Sequence, residues 1–162
     1  MRTRLRRSPR LKDFDYIGPL VCFVTFATRR RSPILLRTEL AQVCLDCLER
    51  SSQRHGVTVK AHCLMPNHVH LLVEVPEGVS LRAFVQHFKQ LSSHALKQMT
   101  GAEAWQISYH DHVLRREESV LDVARYIWDN PVRRGWCPTE ANTPSRDHAT
   151  SWNRSCRALA LP

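Results

Sequence analysis

No uninterrupted apolar run in this 162-residue chain reaches the length that a secretory signal or a membrane-spanning helix requires. A soluble protein with no membrane partner, resident in the cytoplasm, is therefore expected. Cysteine supplies no framework either. Cys22, Cys44, Cys47, Cys63, Cys137 and Cys156 are scattered, and most lie in apolar runs where a thiol acts as a small hydrophobe. Cys44 and Cys47 form a C-x-x-C, but they fall on the stripe Leu40, Val43, Cys44, Cys47, Leu48 of an amphipathic helix, and no second pair completes a zinc site. No segment repeats another. Acids are scarce: 15 Asp and Glu face 24 Lys and Arg, for a formal charge of +9. Of those bases 20 are arginine, whose guanidinium fork matches phosphate oxygens. A polyanionic partner is the first expectation, which would place the protein on the nucleoid.

What is present reads as one domain between two tails. Residues 1–15 form an arginine-rich arm with too few apolar groups to pack, and residues 138–162, rich in Pro, Thr, Ser and Asn, form a C-terminal tail. Residues 16–137 hold the folded part. Leu20–Thr28 predicts a first strand, broken by the basic loop Arg29-Arg30-Arg31-Ser32-Pro33. Thr38 can cap a helix to about Arg54, closed by Gly56. Val57–Leu64 and the segment after Pro66-Asn67 predict a hairpin. Ser80 can cap a second helix, with Leu81, Phe84, Val85, Phe88, Leu91 and Ala95 on one stripe and Lys89 off it. Gln106–Leu114 predicts a fourth strand, and a last helix runs from about Glu117 and ends before Pro131. The order βαββαβ plus one helix is the α+β, ferredoxin-like split βαβ arrangement, an antiparallel sheet with helices on one face.

The chemistry concentrates in two places. His68 and His70 stand two apart in the third strand, so both rings leave one face while Val69, Leu71, Val73 and Val75 enter the core. Two imidazoles on an exposed strand face, in a basic protein, suit a divalent ion that also touches phosphate. His62 on the partner strand and the second H-x-H, His110 and His112, are competitors. Tyr126 and Asn130 stand one turn apart in the last helix, on a side not needed by its stripe Val120, Leu121, Ala124, Ile127, Trp128. A phenol needs a neighbouring positive charge to act as a nucleophile, and Arg125, Arg133 or a cation can supply one. The amide oxygen of Asn130 is a reasonable hard ligand for Mg²⁺ or Mn²⁺.

Met65-Pro66-Asn67-His68-Val69-His70-Leu71-Leu72, followed by Tyr126-Ile127-x-x-Asn130-Pro131-Val132-Arg133-x-Gly135, resembles the single-tyrosine HUH transposases, and within them the REP-associated tyrosine transposases of bacteria. The likeness runs from about Cys22 to Trp136 and includes Trp105-Gln106 and Tyr109 through Arg115. It implies that His68, His70 and Asn130 hold Mg²⁺ or Mn²⁺. It implies too that Tyr126 attacks a phosphodiester of single-stranded DNA, leaving a 5′-phosphotyrosyl link and a free 3′-hydroxyl, on hairpin substrates with a short flanking guide. Arg29, Arg30, Arg31, Lys89, Arg115, Arg116, Arg133 and Arg134 are the residues expected to neutralise backbone phosphates. Whether the site is completed within one chain or by a partner's helix stays open, so a homodimer is one expected assembly. The rival expectation is a hairpin-binding module of the same fold that does not cut.

Overall fold

The computed structural model describes residues 16–135; both expected tails, with Trp136 and Cys137, lie outside the described residues. The elements are β1 (Leu20–Ala27), α1 (Thr38–His55), β2 (Thr58–Met65), β3 (His68–Val75), α2 (Leu81–Thr100), β4 (His110–Val113), α3 (Val120–Trp128) and a short helical turn, α4 (Asn130–Arg133). The sheet order is β2-β3-β1-β4 with every pair antiparallel, which is the split βαβ arrangement.

Local chemistry explains most boundaries. Gly56 ends α1 in the left-handed region and returns its N–H to the Ser52 carbonyl. The Ser80 hydroxyl accepts from the Ala83 amide at 3.2 Å and starts α2. Thr38 is not the cap of α1: a 3-10 turn at Ile34–Leu36 leads in, Arg37 takes the extended cap position, and Thr38 is already helical. The fourth strand is shorter than the sequence predicts. The carbonyls of Gln106, Ile107 and Ser108 face the ammonium of Lys89 instead of a neighbouring strand, so regular pairing begins only at His110.

The sheet is covered on both faces. Cys22, Val24, Phe26, Val69, Leu71 and Val73 meet Leu40, Cys44, Phe84 and Phe88 of α1 and α2 in the larger core. On the other face Ala61, Cys63, Met65 and Leu72 meet Val123, Ala124 and Ile127 of α3. A bulge in β2 between Val59 and Ala61 lets one strand serve both, because the extra residue, Lys60, shifts the alternation by one. Among the described residues no helix is long and apolar enough to cross a membrane.

Candidate metal and tyrosine site

Strand register places the imidazole pair. His68 lies opposite Ala27 and His70 opposite Thr25, on the face that carries Phe23 and Leu72 and that α3 covers. The rings are not on an open surface as the alternation alone suggests: His68 is only 8% exposed and His70 is half-buried, because α3 roofs this face. Their centroids are 4.6 Å apart with the planes near perpendicular.

Each ring is oriented through Nδ1. His68 Nδ1 donates to the side-chain oxygen of Asn67 at 2.6 Å, and His70 Nδ1 lies 2.9 Å from the Thr25 hydroxyl. The Asn67 oxygen can only accept, so His68 carries its proton on Nδ1 and keeps the Nε2 lone pair, the arrangement that metal-ligating histidines use, while the Thr25 hydroxyl, able to donate or to accept, fixes the orientation of the His70 ring. Burial, and then the charges of Arg31 and Arg134, push His68 down to about 4. Burial, then His68 and Arg134, push His70 down to about 3. Both rings are therefore neutral at pH 7, as ligation requires.

Among the described residues no group of three or more His, Cys, Asp and Glu gathers where a metal ion could sit, so any third protein ligand beside the two imidazoles would be of another kind. Asn130 is 7% exposed and sits at the break between α3 and α4. Its amide nitrogen donates to the Tyr126 carbonyl at 2.9 Å, which fixes the side chain and leaves the oxygen to accept. Pro131 follows in the first turn of α4, where its missing N–H costs nothing. Of these donors the amide oxygen is the type that Mg²⁺ and Mn²⁺ prefer, whereas a pair of neutral imidazoles is a general divalent-metal donor set that later first-row ions take more readily.

Tyr126 does not project away from the packing. Its ring meets the edge of Phe23 at 6.3 Å, and Phe23 stacks on His70 at 5.4 Å, so one aromatic side chain touches both halves of the site. The Arg133 guanidinium lies over the phenol ring, 4.7 Å from its centroid. The buried stripe of α3 is Val123, Ala124 and Ile127, with Leu121 exposed, so the helix is rotated relative to the predicted stripe and Tyr126 turns toward β1.

The competing histidines separate. His62 pairs with Leu71 and faces the α1 and α2 layer, opposite the imidazole pair. His112 Nε2 meets both carboxylate oxygens of Glu118 at 2.9 and 3.0 Å, and the Arg115 amide donates to the same carboxylate, which ties the entry of α3 to β4. His110 is exposed and lies opposite Thr25 on β1, in one row with His70. Of the expected phosphate contacts, Arg29, Arg30, Arg31, Arg115, Arg116, Arg133 and Arg134 are exposed. Lys89 is different: it donates to the Gln106, Ile107 and Ser108 carbonyls at 2.5, 2.8 and 3.4 Å. The orienting role of Thr25 and the bridging role of Phe23 escape a linear reading because only the register brings β1 beside β3, whereas Asn67 acts on its own sequence neighbour.

Comparison with known proteins points one way. The family described as Transposase IS200 like matches residues 20–130. An uncharacterised protein of Haemophilus influenzae is 26% identical over 159 residues, covering 78% of this chain and 88% of that one. The REP-associated tyrosine transposase of Escherichia coli K12 is 26% identical over 133 residues, covering 80% of this chain and 76% of that one. A REP-associated tyrosine transposase solved bound to a REP hairpin shares the fold, with a TM-score of 0.69 over 85% of this chain and 81% of that one at 24% identity.

Proposed function

Because the chain belongs to the IS200-like transposase family, we propose that it nicks and rejoins single-stranded DNA at hairpins, through a covalent 5′-phosphotyrosine at Tyr126. The observation that carries this reading is the pair His68 and His70, each held through Nδ1, joined by Phe23 to the ring of Tyr126. That the structural relative was solved with a REP hairpin supports hairpin DNA as the substrate class.

Nε2 of His68, Nε2 of His70 and the side-chain oxygen of Asn130 would hold one Mg²⁺ or Mn²⁺, which when bound polarises the scissile phosphodiester. The Tyr126 oxygen loses its proton and forms a bond to phosphorus while the bond to the 3′ oxygen breaks, and the departing oxygen takes up a proton as a free 3′-hydroxyl. The guanidinium of Arg133 over the phenol ring favours the negative charge that develops on that oxygen. Since one ester replaces another, the same residues can run the step backward and return the strand to the original or a new 3′ end. The exposed guanidinium groups of Arg29–Arg31, Arg115, Arg116 and Arg134 hold the strand by its phosphates.

The test is a denaturing gel of full-length protein mixed with a labelled single-stranded hairpin and Mn²⁺ or Mg²⁺. Wild type should give a protein–DNA adduct that chelation abolishes, and Tyr126→Phe should give none while still binding the hairpin. An adduct that persists in Tyr126→Phe refutes the assignment. Binding without any adduct, unchanged by chelation, points to the non-cutting hairpin binder.

A further inference from the structure

We propose that Ile107 is an apolar wedge that packs on an unstacked base where a hairpin stem meets its single-stranded flank, and that Lys89 holds it in place. The inference rests on the reading of the chain as a hairpin-DNA enzyme. Ile107 is fully exposed, at 101% of its reference area, whereas the next most exposed large apolar side chain among the described residues, Ile17, stands at 49%.

The loop that carries it is built rather than slack. Trp105 is buried against Phe26 and Phe88 and donates its indole N–H to the Ser92 hydroxyl at 2.9 Å. The next residue, Gln106, donates its amide to the Ala27 carbonyl at 2.9 Å. The Lys89 ammonium then meets three successive carbonyls, those of Gln106, Ile107 and Ser108, with its three donors. Drawing those carbonyls inward toward α2 holds the backbone in a shape that keeps the isoleucine side chain in water.

Position and charge say what the tip meets. Ala27 has Gln106 on one side and His68 on the other, so the Ile107 loop lies two strand spacings, roughly 10 Å, from the imidazole pair. The basic turn Arg29–Arg31 is joined to it, since the Arg29 amide donates to the Ala104 carbonyl at 2.8 Å. An apolar tip beside three exposed guanidinium groups matches a base face with its flanking phosphates. The same cluster of like charge opposes a second copy of this chain at that point.

The experiment uses full-length protein in the Tyr126→Phe background with Mg²⁺, titrated into hairpins that carry 2-aminopurine at the stem–flank junction. The parent should raise the probe's fluorescence on binding. Ile107→Ala should remove most of that rise and weaken binding about tenfold, and Ile107→Met should restore it. Lys89→Met should also lower the rise, with the slope of log affinity against log salt unchanged, because Lys89 holds carbonyls and not phosphate. Equal affinity and equal fluorescence in Ile107→Ala overturn the wedge. A slope reduced by about 1 in Lys89→Met makes it a phosphate contact and overturns the stapling role. A parent that binds no hairpin overturns the hairpin reading and the wedge with it.

Discussion

The hydroxyl of Thr25 lies 2.9 Å from Nδ1 of His70, and the side chain of Asn67 lies 2.6 Å from Nδ1 of His68. These two contacts orient the rings, so the proposed use of the pair as ligands depends on residues that would not themselves touch the ion. Thr25→Val keeps the shape of the side chain and removes only that partner. Mn²⁺ affinity measured by calorimetry should fall about 10- to 100-fold, while the unfolding midpoint without metal moves little. An unchanged affinity would mean that His70 does not ligate through Nε2. At the same scale, burial and then the Asp111 charge push the Cys22 thiol up to about 12, and burial pushes Cys44 up further. Thiols held protonated inside a core react slowly. Peptide mapping after treatment with a thiol reagent should therefore find Cys22, Cys44, Cys47 and Cys63 unlabelled in native protein and labelled in urea, and prompt labelling of Cys44 or Cys47 would contradict their place in the core.

At the scale of elements, the two faces of the sheet have unequal support. The face under α1 and α2 is held by a broad core that includes Phe26, Phe84 and Phe88, whereas α3 is held by a small cluster around Ala61, Cys63, Met65 and Leu72. Ile127 is fully buried in that small cluster. Ile127→Ala should cost about 2–5 kcal/mol, and hydrogen exchange should quicken in α3 while α1 and α2 keep their protection. Uniform quickening would show that α3 folds as one unit with the rest. The same inequality explains what was legible in the sequence. α1, β2, β3 and α2 carry long periodic runs with glycine or serine at their ends, so the βαββαβ order reads directly from spacing. The last helix has a short apolar stripe, and two rotations of it satisfy periodicity equally well; only contact with Phe23 and Leu72 decides that Val123 and Ile127 face inward and Leu121 does not. His68 and His70 could be named from the strand alternation, but their burial could not, since it depends on where α3 comes to rest. The short β4 was hidden for a similar reason, since the fate of the carbonyls from Gln106 to Ser108 is settled by Lys89, which stands 17 residues before the first of them.

For the whole molecule, the question is whether the charge of +9 acts as a diffuse excess or through its placement. The described arginines divide by position. Arg29, Arg30 and Arg31 follow the end of β1 that pairs with His68, while Arg50, Arg54 and Arg82 sit on α1 and α2, toward the end of the sheet where Thr58 pairs with Glu74. All six are exposed, and removing either set of three lowers the formal charge equally, from +9 to +6. If long-range attraction alone governs binding, the two triple alanine variants should behave alike. If the strand lies along the end of the sheet that carries the imidazole pair, each lost phosphate contact takes about 0.7–0.9 from the slope of log affinity against log salt. The slope for a hairpin should then shallow by about 2–3 in Arg29/Arg30/Arg31→Ala and stay near wild type in Arg50/Arg54/Arg82→Ala. Equal shallowing in both variants would leave the charge as a general attractant and remove the basic turn from the DNA path. A loss confined to the first variant would put the phosphates beside His68, where the attack proposed for Tyr126 requires a phosphodiester to lie.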